Sequence, residues 1–102
     1  MSLDPQIADL AATLAEMSAV LRVYGDEFWA ANLDRCRIRL EHADFRGVVM
    51  LRELFGGMGS LNDVVLQRDG RMPVADNDRF ERLRAKAGEM TGRFMREQRD
   101  LS

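Results

Sequence analysis

The sequence predicts an all-α fold, a small bundle of three long helices and one short helix, interrupted by an irregular glycine-rich excursion over residues 56–75. Three observations carry this expectation. Apolar residues recur at alternating steps of three and four through most of the chain, the signature of one buried helical face. Glycine and aspartate punctuate the chain where one such run ends and the next begins, at Gly25-Asp26 and at Gly56-Gly57. The rhythm fails only between residues 56 and 75, where glycines stand at 56, 57, 59 and 70 and a proline at 73.

In the first helix the step runs through Leu3, Ile7, Leu10, Leu14, Met17, Leu21 and Tyr24, a heptad seam. Ala8, Ala12, Ala15 and Ala19 form a second stripe roughly 150° away on a helical projection. That stripe either packs against a second surface or lies in solvent, alanine being the best helix former. A helix apolar on two sides is hard for so small a domain to surround. Ile7, Leu10, Leu14, Met17 and Leu21 are therefore the candidate seam of a homodimer.

Gly25 ends the first helix and Asp26 caps the second, with Glu27 favourably placed at the positive end of the helix dipole. There Trp29, Leu33, Cys36, Leu40 and Ala43 repeat the step, Phe28 and Ile38 widen the apolar face, and Asp34, Arg37 and Glu41 form an ion-pair ladder. Asp44 caps a short third helix packed through Phe45, Val48, Leu51, Leu54 and Phe55. Within the excursion, Asp69-Gly70 suits a two-residue turn. It would set Arg68 opposite Arg71 and Val65 opposite Val74 in a short β-hairpin. Asp76 or Asn77 caps the last helix, whose packing residues are Phe80, Leu83, Ala87, Met90 and Phe94. Lys86, Glu89, Arg93 and Glu97 alternate in sign along one edge of it. Ala85, Gly88 and Gly92 make a small-residue stripe, a hint that another backbone or a ligand comes close.

Composition bounds the function. At 102 residues and 11.6 kDa the chain is expected to be one helical domain, 1–102, with 46% apolar and 31% charged residues. A net charge of −2 and a pI near 5.4 give no electrostatic footprint for nucleic acid or an anionic membrane. The strongly apolar run Val48–Leu51 is far shorter than the roughly twenty residues that cross a bilayer. One cysteine excludes an intrachain disulfide framework and a cysteine-rich zinc site. With no basic, apolar leader at the start, the expected compartment is the reducing cytoplasm. Cys36 and His42, the pair to test as nucleophile and base, project about 120° apart on one helix, so no catalytic residue is assigned. With a single histidine and no Glu-x-x-His, no metal site and no cofactor are expected. Arg35, Arg39, His42 and Arg46 could form a basic ridge, but Glu41 and Asp44 stand close enough to neutralise much of it.

The loop Phe55-Gly56-Gly57-Met58-Gly59-Ser60-Leu61-Asn62-Asp63 is the most informative stretch. Ser60 can accept a hydrogen bond from the backbone of Asn62 or Asp63, while the Asp63 carboxylate reaches back to the N–H of Ser60, a capping box with a shortened acid. The alternative is a site for a small ligand or a reaction. Its candidates are Gly57, Met58, Gly59, Ser60, Asn62 and Asp63, with Arg52 as a clamp for an anion. Asp63 opposes that reading, since its carboxylate competes for the same donors. The run Gly56-Gly57-Met58-Gly59-Ser60, a hydrophobic residue and Asn62-Asp63 resembles the signature of a family of small, functionally uncharacterised bacterial proteins. The resemblance covers roughly residues 10 to 95. Leu61 departs from it, where an aromatic is expected. The resemblance implies a compact helical domain and supplies no activity or cofactor.

The function expected from all of this is a non-catalytic protein-interaction module, homodimeric through the first helix or bound to another protein. A bacterial effector that this acidic chain neutralises, as an immunity protein does, would be one such partner. A ligand-binding or catalytic protein built on loop 56–63 is the alternative of a different class.

Overall fold

The computed structural model describes residues 3–56 and 59–101. Four α-helices make up most of them: α1 (Pro5–Val23), α2 (Glu27–Glu41), α3 (Arg46–Leu54) and α4 (Val74–Leu101). A 3-10 turn, Leu61–Asp63, lies in the long connection between α3 and α4. Among the described residues there is no strand, only an isolated antiparallel bridge between Arg68 and Arg71.

The first helix starts where chemistry favours it. Asp4 accepts hydrogen bonds from the N–H groups of Gln6 (2.8 Å) and Ile7 (3.4 Å), and Pro5 occupies the first turn, where its missing N–H costs nothing. Gly25, at φ +78°, turns the chain into α2, and Asp26 accepts from the N–H of Trp29 at 3.1 Å. α1 therefore runs antiparallel to α2, and Arg22 clips the two together through Glu27 and Asp34. Lys86 meets Asp9 at 2.9 Å and Arg79 meets Glu16 at 3.9 Å, so α4 is antiparallel to α1 as well. α3 packs against both α2 and α4.

The heptad seam of α1 is consumed inside the protomer. Leu10, Leu14, Met17 and Leu21 are fully buried and Ile7 partly so, packed into one apolar cluster with Leu33, Cys36 and Leu40 of α2, Val48 and Leu51 of α3, and Phe80, Ala87, Met90 and Phe94 of α4. The residues of the candidate dimer seam are thus packed within the protomer, and Ala8, Ala12, Ala15 and Ala19 lie in solvent on the other side of α1. Two residues expected to widen the core of α2 also turn outward: Phe28 is 69% exposed, with its ring edge-on to Trp29, and Ile38 is 48% exposed.

The boundary of α4 differs from expectation. The helix opens at Val74, before both candidate caps, because Pro73 presets the backbone and accepts from the N–H of Asn77 at 3.0 Å. Asp76 instead accepts from the Tyr24 hydroxyl, which raises the tyrosine pKa, and Asn77 reaches into the preceding connection. Lys86 leaves the expected edge ladder of α4 to pair with α1.

Three carboxylates set an acid limit on the fold. Hydrogen bonds from Arg46 hold Asp44 down at about 2. Glu27 is lowered by its hydrogen bonds from Arg22, and Asp34 is lowered because bonds from Arg22 and Ser18 outweigh the opposing effect of burial. A depressed carboxylate stabilises the fold above its unfolded pKa, and that contribution disappears as the pH falls through the folded value. The midpoint of urea unfolding should therefore be flat near neutrality and fall between about pH 4 and pH 2. Asp44→Asn should flatten part of that decline, and an unchanged acid profile in that variant would show that Asp44 contributes nothing.

Candidate functional site

Two regions between α3 and α4 carry the residues of interest. The first is the glycine-rich loop. Gly57 and Met58 lie outside the described residues. Ser60, buried, accepts through Oγ from the N–H of Asn62 at 3.3 Å. The Asp63 carboxylate reaches back one residue further than expected, accepting from the N–H of Gly59 (2.8 Å) and not of Ser60, with Gly59 at φ +69°. Asn62 donates through Nδ2 to the carbonyl of Phe55 at 3.0 Å, closing the end of α3. The polar side chains of this loop are thus committed to backbone groups of the loop itself.

A cleft of about 420 Å³ opens beside the loop, lined by Arg52, Phe55, Asn62, Arg84, Gly88 and Gly92 among others. It brings together three things singled out in the sequence: the clamp candidate Arg52, the loop residue Asn62 and the small-residue stripe of α4. Arg52 is exposed, and its side chain makes no ion pair or hydrogen bond among the described residues. The close approach expected at the stripe is an aromatic ring and not a backbone. A Cβ on Gly88 would stand 3.5 Å from the Phe55 ring, and one on Gly92 would meet only the tip of Arg96 on the same helix, at 3.4 Å. Neither is a clash. Gly88→Ala should therefore stabilise the protein by about 0.5 to 1 kcal/mol through helix propensity, read as a raised melting temperature. A loss of stability would mean that the ring cannot yield.

The second region is the connection from Val64 to Pro73. Leu61 and Leu66 are buried and anchor its start to the core. Asp69 and Gly70 both adopt positive φ, at +52° and +76°, as a type I′ turn requires, and Arg68 and Arg71 exchange two N–H···O bonds of 2.9 Å. The pairing stops there, because Val74 already belongs to α4. The segment is held by side chains of α4. Arg84, itself buried, donates through Nη1 to the carbonyls of Leu61 (3.0 Å) and Val64 (2.8 Å). Asn77 accepts from the N–H of Leu66 (2.9 Å) and donates to its carbonyl (3.1 Å), as a neighbouring strand would. On the other flank, Arg68 donates to the carbonyl of Val23 and stacks over the Tyr24 ring, 4.9 Å from its centroid.

This arrangement gathers apolar surface at one end of the molecule. Val23 (60% exposed), Phe28, Val65 (50%), Met72 (62%) and Val74 (74%) are large apolar residues left in solvent. Phe28 and Val65 line one cleft; Val65, Met72 and Val74 line a second on the other side of the segment. Val65 lines both clefts, so the two meet at this segment.

The remaining candidates are dispersed. Cys36 is buried in the core and burial pushes its thiol up to about 11, while His42 is exposed at the end of α2 with Nδ1 2.7 Å from the carbonyl of Ile38. The basic ridge is partly neutralised, because Asp44 meets Arg46 at 3.0 Å and Arg39 at 3.2 Å. Among the described residues no three His, Cys, Asp or Glu side chains converge to hold a metal ion, and no helix is long and apolar enough to cross a membrane.

Arg84 and Asn77 are the site residues that sequence reasoning missed. The signal for Arg84 was available: it follows Phe80 by four residues and precedes Ala87 by three, so it stands on the apolar stripe of α4 where a charge needs a buried partner.

No curated protein and no solved structure matches the chain. A family model does match, over residues 22–74, from the last turn of α1 to the first residue of α4, and all five residues of the exposed apolar end fall within that span. The model describes a domain of unknown function, DUF6966, and since it covers more than half of this chain, the chain belongs to that family.

Proposed function

We propose that this protein is a non-catalytic interaction module that engages a protein partner through the apolar end formed by Val23, Phe28, Val65, Met72 and Val74. The observation that carries this reading is the concentration of exposed apolar side chains there. Single exposed hydrophobics are ordinary, but four of them, Phe28, Val65, Met72 and Val74, line two clefts that meet at Val65, and such a grouping is the usual mark of a contact surface. Phe28 and Met72 supply the aromatic and the adaptable thioether typical of interface centres. Ser60, Asn62 and Asp63 serve this surface as a structural cap, holding the end of α3 while Leu61 and Leu66 anchor the connection that presents Val65.

Affinity capture from the native host tests the reading. Wild type and a remote control, Ala12→Asp, should retain the same protein, while Phe28→Asp and Met72→Asp should lose it with their helical circular dichroism unchanged. Retention by both patch variants would remove the apolar end as the contact surface. Light scattering over a concentration series identifies the partner class: a mass that doubles in wild type and stays single in Phe28→Asp makes the partner a second copy.

A further inference from the structure

We infer that the partner docks as an extended polypeptide segment, apolar with a basic residue, adding itself as a strand along the free edge of residues 64–68; the inference rests on the interaction-module reading above and specifies its occupant.

The hydrogen bonds of this segment alternate as those of a strand do. Val64 accepts from Arg84, Leu66 exchanges both backbone groups with Asn77, and Arg68 exchanges both with Arg71. In extended backbone the N–H and C=O of one residue point to the same side and those of its neighbours to the other. Even-numbered residues therefore face inward and are paired. Val65 and Gln67 are the outward members, and their N–H and C=O groups make no hydrogen bond to any described residue. The result is a short edge of two donors and two acceptors at the strand repeat, a template for another chain. A helix cannot answer it, because its own backbone groups are already paired; an extended segment can.

The surroundings fix the size and chemistry of that segment. Val65, Leu66 and Gln67 form one wall of a cleft of about 470 Å³, and residues 24–28 of the α1–α2 turn form the other. Three residues of a strand, about 10 Å long, span that wall. A second copy, presenting its own 64–68 edge, is the competing occupant that the test separates. Phe28 and Val65 offer apolar contact to alternate side chains; of the two carboxylates lining the cleft, Glu27 is already paired with Arg22, while Asp26, whose Oδ1 accepts from the N–H of Trp29, makes no ion pair among the described residues and favours a lysine or arginine.

The test uses the full chain and a display library of random twelve-residue peptides as the probe. Enriched sequences should alternate apolar residues and carry at least one lysine or arginine. Backbone N-methylation of the enriched peptide at alternate positions should weaken binding about tenfold or more in one register and leave it unchanged in the other. Val65→Pro, which removes one outward donor, should weaken binding similarly. Val64, at φ −71° and ψ 127°, already has the backbone that a following proline requires. Binding lost in Phe28→Asp but indifferent to N-methylation in both registers would overturn strand addition while leaving the interaction surface intact. A library that yields no binder, while host capture remains sensitive to Phe28→Asp, would do the same. Host capture insensitive to Phe28→Asp would instead remove the underlying reading. A wild-type mass that doubles with concentration and stays single in Val65→Pro would make the occupant a second copy and overturn the peptide.

Discussion

Arg84→Met is expected to lower the stability of the protein by about 3 kcal/mol and its melting temperature by about 15 °C. The guanidinium is nine-tenths buried and supports two carbonyls of the α3–α4 connection, those of Leu61 at 3.0 Å and Val64 at 2.8 Å, while its other Nη is paired with Glu81 and its Cζ lies 5.4 Å from the centroid of the Phe80 ring. Methionine preserves the flexible apolar stem but none of the donors. Both carbonyls then lose a charged partner, and a hydrogen bond to a charged group contributes about 1.5 to 3 kcal/mol. Arg84→Lys should fall between the two, since one ammonium can serve either carbonyl but cannot reproduce the fork. Thermal unfolding followed by circular dichroism measures the loss, and hydrogen exchange locates it: the Leu66 amide should exchange faster in the variant well before the helices melt. A melting temperature within about 2 °C of wild type would show that water replaces the guanidinium without cost.

The helices were legible because their signal is periodic and redundant. In α1 the seam from Leu10 to Leu21 needs no knowledge of its neighbours, and the same spacing reads Leu33, Cys36 and Leu40 or Phe80, Ala87, Met90 and Phe94 as core. What that seam packs against was not legible. A heptad repeat looks the same whether it meets a second copy or the chain's own later helices, and here α2 and α4 close over it. The Ser60 cap was readable from local chemistry, and the Asp69-Gly70 turn from its residue types. Asn77 was not, because an asparagine at a helix start is ordinarily its cap. Its pairing with Leu66, eleven residues earlier, depends on a path that local propensity does not encode. The exposed end was hidden for a related reason: Phe28 and Val65 read as core or strand residues until the geometry of the turn and the connection is known.

Gly47→Ala should destabilise the protein by about 2 kcal/mol, although alanine is the better helix former by about 1 kcal/mol. The position shows no sign of this in the sequence, where a glycine within the short third helix reads as a mere weakness. In the fold it is buried at the crossing of α3 over α2. A Cβ there would stand 2.8 Å from the carbonyl oxygen of Cys36, 3.1 Å from Cβ of Arg39 and 3.1 Å from Cγ of Leu40. The nearest of these atoms is backbone and cannot swing aside, so the two helices must separate. Separation uncovers what they bury between them. Cys36, fully buried with its thiol pushed up to about 11, should be nearly inert to a thiol reagent in the native wild type and react measurably faster in the variant. The paired readout distinguishes a widened α2–α3 crossing from a general loss of stability, because Gly25→Ala strains a positive φ at the far side of α2 and should lower the melting temperature without exposing the thiol at native temperatures. A Gly47→Ala protein that melts at or above wild type, with Cys36 still protected, would show that α3 shifts along α2 at no cost and that the close approach is not what fixes the crossing.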